Sequence, residues 1–261
     1  MTILETITAY KHKEVAAKKN AFPISLLEQA PLFDRTPNSL ATALRNSHTG
    51  IIAEHKRRSP SKSLINASSE VQDVASGYET AGVSGMSVLT DTKFFGGSLD
   101  DLLVARDAVK FPLLRKEFIV DPYQIFEAKA YGADAILLIA ACLSNYQLKE
   151  FSEIAKQLSL DVLLEVHSKE ELDRSLLPSV DMLGVNNRNL KTFEVSIEMS
   201  KTLAVDIPND FVKVSESGIS SVETIKELKP YGFQGFLIGE NFMKTTHPGK
   251  SASEFIKKLK A

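Results

Sequence analysis

The amino-acid sequence predicts a single (β/α)8 barrel that is preceded by a helical extension. Eight strand-like runs alternate with eight helix-like segments after Gly50, and no low-complexity linker interrupts the alternation. Several of the strand-like runs are apolar throughout, as expected for parallel strands that are covered on both faces. The length of 261 residues is close to that of a typical barrel of this kind. Eight consecutive βα units therefore favour a closed TIM barrel over an open doubly wound sheet.

The segment before the first clear strand is predicted to pack on the barrel as a helical extension. Ile3, Ile7 and Tyr10 recur at helical spacing, which predicts an amphipathic helix over residues 2–20. A break at Phe22-Pro23 precedes a short predicted helix over residues 26–30, and residues 31–47 are predicted to form a connector. A separate domain of this size would bury too little apolar surface to be stable. We therefore expect one domain, with the extension over residues 1–48 and eight βα units over residues 49–261.

The predicted strands and helices follow one another in strict order. The strands are predicted over residues 51–54, 85–90, 112–116, 135–139, 162–166, 182–185, 212–215 and 235–238. The helices are predicted over residues 69–81, 99–109, 122–131, 145–158, 169–176, 195–203, 221–228 and 251–259. Asp121-Pro122 and Ser221 are typical helix starts. Gly82, Gly132 and Gly232 are expected to end helices in the left-handed conformation.

Composition excludes several classes of function. A net charge of −2, with 25% charged residues, suggests neither a nucleic-acid partner nor an anionic membrane. Cys142 is the sole cysteine, so an intrachain disulfide and a Cys-rich metal site are excluded, and the five histidines lack metal-type spacing. The sequence shows no signal peptide and no apolar run near the ~20 residues that span a bilayer. A reduced, cytoplasmic setting without metal or cofactor is expected; a monomer is expected too, although no sequence feature decides it.

Charged and amide side chains recur where the predicted strands end. Active sites of such barrels lie at the carboxyl ends of the strands, so these endings predict a polar mouth above an apolar core. The endings include Glu54 with Lys56, Asp91, Lys116 with Glu117, Glu165 with His167, Asn186 to Asn189, Glu216 with Ser217, and Gly239 with Glu240. Glu54 and Lys56 are two residues apart and point to the same side of an extended strand. On that stretch alone, a salt bridge at a strand end followed by a solvated basic loop is an equally good interpretation.

Two lysines and two glutamates, Lys56, Lys116, Glu54 and Glu165, are expected to converge at this mouth. A lysine acts as a proton donor when a carboxylate keeps it charged, or as a Schiff-base nucleophile when it is desolvated. A glutamate at a strand end is suited to accept a proton. The structural alternative is a pair of salt bridges at the rim of the barrel.

Two glycines suggest where an anion binds. Gly218 and Gly239 follow the seventh and eighth strands, and each is predicted to open a helical segment. The loops after these strands are a frequent phosphate site in barrels, although single glycines in such loops are more often simple turn formers. Ser217, Arg188 and Ser59 are candidate additional donors to the same anion.

The motifs at these strand ends resemble those of the indole-3-glycerol-phosphate synthase family, and the resemblance covers nearly the whole chain. The motifs begin at Ile52, Leu89, Leu114, Leu164, Gly184, Ser215 and Leu237; they read IAEHKRRSPSK, LTDTKFFGGS, LRKEFIVDPYQ, LEVH, GVNNRNL, SESGI and LIGE. The resemblance implies ring closure, decarboxylation and dehydration of 1-(2-carboxyphenylamino)-1-deoxyribulose 5-phosphate. The products would be indole-3-glycerol phosphate, CO₂ and water, in tryptophan biosynthesis, without a cofactor.

The resemblance also implies a role for individual residues. Lys116 would be the general acid, Glu165 the acid/base of the dehydration, and Glu54 an orienting group that works with Lys116. Lys56 would hold the substrate carboxylate or share the proton donation, and Asn186 would bind a substrate hydroxyl. The positions around the phosphate and sugar would be Ser59, Arg188, Glu216, Ser217, Gly218, Gly239 and Glu240. The apolar wall around the aromatic ring would comprise Phe95, Phe118, Leu137, Leu163 and Leu190.

The chain departs from the family pattern at two positions. His55 replaces a usual aliphatic residue; strand alternation points it towards the helices, so we interpret it as a packing residue. Ser63 replaces a usual glycine and removes no catalytic group.

Two other functions are considered. A Schiff-base aldolase that uses Lys116 or Lys56 is the enzymatic alternative, and a barrel that only binds phosphorylated ligands is the non-enzymatic one. The number of ionisable groups at the mouth argues against a mere binding protein.

Overall fold

Eight parallel strands close into a barrel in which each strand pairs with the next and the last pairs with the first. The structure is a computed structural model that describes residues 2–189 and 192–261. The strands are β1 Ile51–His55, β2 Gly85–Leu89, β3 Leu113–Lys116, β4 Ala135–Ile139, β5 Asp161–Val166, β6 Met182–Asn186, β7 Val212–Glu216 and β8 Phe233–Ile238. The predicted fold class is confirmed.

The helices lie before the barrel and between its strands. They are α1 Ile3–Ala21, α2 Ile24–Leu27, α3 Leu40–Arg45, α4 Val71–Ala81, α5 Thr92–Phe95, α6 Leu99–Ala108, α7 Tyr123–Ala130, α8 Asn145–Gln157, α9 Lys169–Asp173, α10 Glu198–Ala204, α11 Val222–Leu228, α12 Glu240–Met243 and α13 Pro248–Lys260. Two 3₁₀ turns cover Ala140–Cys142 and Lys229–Tyr231. Across both described stretches of the chain, we find no helix long and apolar enough to cross a membrane.

Two buried layers hold the barrel together. The larger layer lies between the outer face of the strands and the surrounding helices, and includes Val88, Leu138 and Phe151. The smaller layer fills the inside of the barrel, where Leu114 and Leu163 are fully buried. Full burial of a leucine side chain contributes about 2–3 kcal/mol relative to exposure, so these layers supply most of the driving force for closure.

Helix α3 closes the end of the barrel at which the strands begin. Its Leu40 and Leu44 belong to the inner core. Asp161, the first residue of β5, accepts hydrogen bonds from Ser39 Oγ at 2.8 Å and from the backbone N–H of Ala41 at 2.9 Å. The prediction of a connector over this segment is wrong, because its apolar residues belong to a short helix that covers the barrel. The opposite end of the barrel stays open for a site.

Helix caps follow the sequence closely, with two differences. Ser221 accepts a hydrogen bond from the Thr224 N–H, and Gly82, Gly132 and Gly232 have left-handed φ values, as predicted. Asp121 accepts from the Tyr123 N–H at 2.9 Å, but the residue at the cap of α7 is Pro122. Helices α5 and α12 are four-residue helices that the sequence analysis did not predict.

Candidate active site

A cavity of about 390 Å³ opens at the carboxyl ends of the strands. All five residues predicted to be catalytic line it: Glu54, Lys56, Lys116, Glu165 and Asn186. They come from β1, β3, β5 and β6 or from the residues directly after them. The barrel therefore brings together side chains that are far apart in sequence, as the strand endings predict.

Glu54 forms an ion pair with Lys56 and not with Lys116. Lys56 Nζ lies 2.7 Å from Glu54 Oε1, and Ser87 Oγ donates to Glu54 Oε2 at 3.2 Å. Burial alone would raise the pKa of Glu54, but the positive charges of Lys56 and Lys116, together with these hydrogen bonds, lower it. Glu54 is therefore a charged carboxylate. Lys116 acts on it through space and not by direct contact, and the role of Glu54 as an orienting group that works with Lys116 stays a prediction.

Lys116 lies among carboxylates from several strands. It donates a hydrogen bond to Glu216 Oε2, and its Nζ is 3.7 Å from Glu165 Oε2. Burial would lower the pKa of this ammonium, but Glu216, Glu165 and Glu54 raise it above its ordinary value. Lys116 therefore carries its proton, as a general acid must before it reacts.

Glu216 differs from the carboxylates around it. Its side chain is 2% exposed and contacts Lys116, so it lies beside the catalytic candidates, and its predicted place around the phosphate and sugar stays a prediction. The pKa of Glu216 is raised to about 7, because burial and the charges of Glu165 and Glu54 raise it by more than Lys116 lowers it. A carboxyl beside an ammonium ordinarily has a lowered pKa, but here burial and two further acids outweigh one lysine. The group is poised to hold or release a proton near neutral pH.

Glu165 is held by an amide and an imidazole. Asn186 Nδ2 donates to Glu165 Oε1 at 3.1 Å, and His167 Nε2 lies 3.3 Å from the same oxygen. The Asn186 Oδ1 atom in turn accepts from the backbone N–H of Arg188 at 3.0 Å. Asn186 was predicted to bind a substrate hydroxyl; it faces the cavity, and in this structure its amide orients Glu165.

The predicted anion-binding residues form the rim of the cavity. Ser59, Arg188, Ser217, Gly218, Gly239 and Glu240 all line it. Gly239 precedes α12, as predicted, but α11 begins only at Val222, so the prediction that Gly218 opens a helix is wrong. Glu240 forms an ion pair with Lys62 at 2.7 Å, which connects this rim to the loop after β1.

One side of the cavity is apolar and aromatic. The Phe95 and Phe118 rings lie with their centroids 5.8 Å apart, and Leu137 lines the same cavity. Leu163 belongs to the inner core below and does not line the cavity, because its side chain points into the barrel. Leu190 lies outside the described residues.

Helix α1 adds a part of the wall that the sequence analysis missed. Its residues Ile3, Leu4 and Ile7 line the cavity. The helical spacing of Ile3 and Ile7 predicted an apolar face, but the sequence gives no indication of which surface that face covers. The extension is therefore part of the site.

Comparisons with known proteins agree with these motifs. The family model described as indole-3-glycerol phosphate synthase matches residues 4–255 of the chain. A protein named indole-3-glycerol phosphate synthase from Bacteroides thetaiotaomicron is 48% identical over 257 residues, which are 98% of each chain. A protein of the same name from Verminephrobacter eiseniae is 44% identical over 256 residues, covering 95% of this chain and 96% of its own. The chain belongs to the indole-3-glycerol phosphate synthase family.

Solved structures outside the indole-3-glycerol phosphate synthase family share the fold at low sequence identity. KGPDC from Streptococcus mutans has a TM-score of 0.62 and 12% identity, and the match covers 80% of this chain and 96% of that one. Thiamine phosphate pyrophosphorylase from Pyrococcus furiosus has a TM-score of 0.60 and 16% identity, with 85% and 98% covered. These likenesses show the barrel alone.

His55, the departure from the pattern of the indole-3-glycerol phosphate synthase family, lies outside the catalytic group. Its side chain is 1% exposed. Burial lowers the pKa of His55 to about 4, and the charge of Arg57 lowers it further. His55 is therefore neutral near pH 7, which agrees with its interpretation as a packing residue.

Proposed function

We propose that this protein catalyses the indole-3-glycerol phosphate synthase reaction (EC 4.1.1.48). Its substrate would be 1-(2-carboxyphenylamino)-1-deoxyribulose 5-phosphate, and its products indole-3-glycerol phosphate, CO₂ and water, in tryptophan biosynthesis. One observation carries the proposal beyond family membership. The Lys116 ammonium contacts Glu165 and Glu216 in a cavity that also has an aromatic wall and a rim with glycines and Arg188.

The first chemical step needs a proton donor at the ketone of the substrate. The ring carbon that bears the carboxylate attacks the ketone carbon, and Lys116 gives its proton to the ketone oxygen, which becomes a hydroxyl. The carbon–carbon bond to the carboxylate then breaks, CO₂ leaves, and the electron pair returns to the ring. Lys116 is suited to this step because neighbouring carboxylates keep it protonated in a largely buried site.

The second chemical step is the loss of water. The new hydroxyl leaves with a proton from a lysine, and Glu165 accepts a proton from the neighbouring carbon, so that the double bond of the indole ring forms. Asn186 holds one oxygen of Glu165 at 3.1 Å, which leaves Glu165 Oε2 on the side of Lys116. Acid and base are thus adjacent, as a dehydration requires.

The two anionic groups of the substrate would bind at different parts of the cavity. Lys56 lies at the end of β1 and would hold the carboxylate that is lost as CO₂. The phosphate would bind at the rim, where Gly218 and Gly239 line the cavity without side chains in the way of an anion and Arg188 adds a cation. The planar ring would lie against Phe95 and Phe118, since aromatic surfaces favour stacked or edge contacts.

The direct test is turnover of the purified protein with the carboxyphenylamino-deoxyribulose phosphate. The sequence contains no tryptophan, so the protein contributes only tyrosine fluorescence, and the rise of indole fluorescence from the product can be followed directly. Release of CO₂ in equal amount would accompany it. Folded protein that binds the substrate but forms neither product would contradict the proposal.

The Schiff-base aldolase remains the enzymatic alternative, and the site disfavours it. A lysine nucleophile needs a lowered pKa, whereas the carboxylates around Lys116 raise its pKa. Borohydride added during turnover should therefore trap no covalent adduct. An adduct on Lys116 or Lys56 would support the aldolase instead.

We also infer the setting in which the protein works. A reduced, cytoplasmic compartment is supported by its single cysteine, since a chain with one cysteine does not depend on an intrachain disulfide. The extension over residues 1–48 and the barrel over residues 49–261 would fold as one domain, because buried ion pairs join them. The expected monomer stays a prediction that sedimentation of the purified protein tests.

A further inference from the structure

Behind Glu165, two further ionisable groups form a row that leads out of the barrel. Glu165 lies in β5 and His167 follows two residues later, so both side chains leave the extended chain on the same side. His167 Nε2 lies 3.3 Å from Glu165 Oε1, and His167 Nδ1 lies 3.4 Å from Glu171 Oε2. The imidazole is thus placed between a carboxylate that lines the cavity and one at the start of α9.

Glu171 is held firmly enough to orient the imidazole. Its Oε2 atom accepts a hydrogen bond from the backbone N–H of His167 at 2.7 Å. Its own backbone N–H donates to Ser168 Oγ at 3.2 Å, the cap of α9. Glu171 is therefore held at its carboxylate by the His167 backbone and at its own backbone by the Ser168 hydroxyl, and its position orients the Nδ1 side of the ring.

The other ring nitrogen faces the acid/base residue. His167 Nε2 is buried, and its approach to Glu165 Oε1 has the distance of an ion pair without the alignment of a hydrogen bond. Asn186 donates to the same oxygen, so Oε1 is contacted from two sides while Oε2 faces Lys116. The two oxygens of Glu165 thus have different environments.

We propose that His167, oriented by Glu171, is a positioning residue that holds Glu165 in its working orientation. The proposal rests on the proposed function, in which Glu165 accepts a proton during the dehydration. It gives a role to His167, which the strand endings marked only as one polar residue among several, and it adds Glu171. His167 itself does not need to touch the substrate.

The charges around His167 determine in which direction the pH dependence should shift when His167 is replaced. Burial would lower the pKa of the imidazole, but its hydrogen bond to Glu171 and the charges of Glu165, Glu171 and Glu216 raise it. The ionisable groups that face this row belong to β5, α9, β7, β3 and the turn after β4, and they are Glu165, Glu171, Arg174, Glu216, Lys116 and Cys142. A positive imidazole 3.3 Å from Glu165 Oε1 stabilises a negative charge there, so removal of the imidazole should move the acidic limb of the pH–rate profile to higher pH.

The kinetic test uses two neutral replacements. In His167→Gln and Glu171→Gln, kcat/KM is measured against pH beside wild type. We expect the acidic limb of the His167→Gln profile to move to higher pH by about one pH unit. At pH values below this limb kcat/KM should fall about tenfold, and at pH values above it kcat/KM should change little. Glu171→Gln should move the limb in the same direction by less, because Gln still accepts the His167 backbone N–H. His12→Asn, an exposed histidine on α1, is the matched control and should leave the profile unchanged.

A second measurement does not need activity. The imidazole proton resonances of the five histidines are titrated by NMR, with His167 assigned from its absence in His167→Gln. Because coupling between two sites is reciprocal, the pKa of His167 should fall in Glu165→Gln. If wild type shows no turnover, the proposed function fails, and this titration still decides the coupling.

Three results would overturn the inference. One is a His167→Gln profile that is lower by the same factor at every pH, which indicates a merely structural role. Another is a His167 titration that Glu165→Gln leaves unchanged. The third is an Asn186→Ala variant that alone reproduces the full limb shift while His167→Gln does not, since the amide would then be the group that acts. If His167→Gln fails to fold, Glu171→Gln and the titration decide the matter.

Discussion

At the residue scale, the site is defined by several carboxylates that surround a single ammonium group. Three carboxylates, Glu54, Glu165 and Glu216, act on Lys116, and two of them contact it. Burying several like charges together is costly, and the raised pKa of Glu216 shows that this carboxyl takes up a proton most readily. Such an arrangement serves proton transfer better than stability, and it makes single substitutions informative.

Lys116→Ala should abolish most turnover while substrate still binds. The variant lacks the proton donor for the ketone oxygen, so we expect kcat to fall by about 10²–10⁴-fold. Lys56→Ala should instead raise KM more than it lowers kcat, since Lys56 is proposed to hold the carboxylate. Steady-state kinetics of both variants will separate the two roles.

Lys149→Ala is the matched control for these lysines. Lys149 lies on α8 with 68% of its side chain exposed, and its removal should leave both constants unchanged. A Lys116→Ala variant with the kcat of wild type would exclude Lys116 as the proton donor. Equal kcat losses in both site variants would mean that the lysines share the role.

Gly239→Ala should damage the site without unfolding the protein. A Cβ atom at Gly239 would lie 2.6 Å from Glu54 Oε1, so Glu54 must move away from Lys56. The φ of Gly239 is −112°, which suits any residue, so stability should change little. We expect kcat/KM to fall by about tenfold or more, because small displacements at a reacting centre are costly.

Gly249→Ala is the control variant for Gly239→Ala, because it introduces a similar clash outside the site. A Cβ there would lie 2.6 Å from Gly77 Cα in the contact between α13 and α4, away from the cavity. This variant should lower the melting temperature while the kinetics of the folded protein stay normal. The opposite result for either glycine would contradict the assignment.

The residue types at the strand ends predict well which residues form this site. They predict poorly which of these side chains contact one another. The positions of Glu54, Lys116 and Glu165 follow from where the strands stop, because a barrel aligns those ends. That Glu216 contacts Lys116, that Asn186 orients Glu165, and that Leu163 lies in the core depend on strand tilt and register. The sequence places His167 two residues after Glu165 at the same strand end, but only the position of α9 brings Glu171 to the imidazole.

At the element scale, α1 is attached to the barrel by lysines on one face. Lys11 Nζ lies 2.9 Å from Asp91 Oδ2 and 3.2 Å from Glu117 Oε1, and it is 1% exposed. Lys18 and Lys19 follow on the same face, with Glu127 and Asp121 as partners. These contacts hold the apolar residues of α1 over the cavity.

Lys11 also supports both aromatic residues of the wall. Asp91 caps α5 by accepting from the N–H groups of Phe94 and Phe95, and Glu117 precedes Phe118 and accepts from its N–H at 2.8 Å. Burial alone would lower the pKa of Lys11, but Glu117, Asp91 and Glu14 raise it, so the lysine stays charged. The extension and the ring-binding wall therefore share one buried ion cluster.

Lys11→Met should lower stability and weaken substrate binding. The variant leaves Asp91 and Glu117 buried without their main counter-charge, which costs about 3–5 kcal/mol when a buried pair is broken. We expect KM to rise more than kcat falls, because the aromatic wall shifts while Lys116 and Glu165 remain. Thermal denaturation and steady-state kinetics measure the two effects.

Two further variants make the Lys11 experiment decisive. Lys13→Met changes an exposed lysine on the same helix and should have neither effect. Adding Asp91→Asn and Glu117→Gln to Lys11→Met removes the unpaired charges and should restore part of the lost stability, because Asn still caps α5. No recovery in the triple variant would mean that Lys11 acts by packing and not by charge.

The elements themselves were largely predictable, and the exceptions are short. The long apolar runs and the regular alternation determine all eight strands and the helices between them. Helix α3 and the four-residue helices α5 and α12 were missed because segments of that length carry too little periodicity to be recognised. What forms them is tertiary: α3 covers the barrel, and α5 is capped by Asp91.

At the scale of the whole molecule, the barrel separates stability from chemistry. One end is sealed by α3 and apolar side chains, while the other carries the ionisable groups and is covered in part by α1. Burial of acids at the second end costs folding free energy, and proteins commonly accept this at active sites. The cost should be visible as a dependence of stability on pH.

Glu216 provides the clearest case, and the sign follows from linkage. Its pKa is raised from 4.5 to about 7 by burial and by neighbouring acids. Between these pH values the folded protein binds more protons at Glu216 than the unfolded chain does, so stability falls as pH rises through the window. The stabilising contribution is fully present below the lower pKa and is lost above the higher one.

Glu216→Gln should therefore be more stable than wild type at pH 8 and equally stable at pH 4.5. The difference in the free energy of unfolding should be about 3 kcal/mol at most, from 1.36 kcal/mol per pH unit. The Gln side chain can still accept a hydrogen bond from Lys116. We expect kcat to fall in this variant. Differential scanning calorimetry of both proteins across this range measures it, and other titrating groups cancel in the comparison. Glu254→Gln, at an exposed position of α13, should show no such divergence. A Glu216→Gln variant that loses stability at pH 8 would mean that its charged pairing with Lys116 outweighs burial, and that Glu216 is ionised throughout.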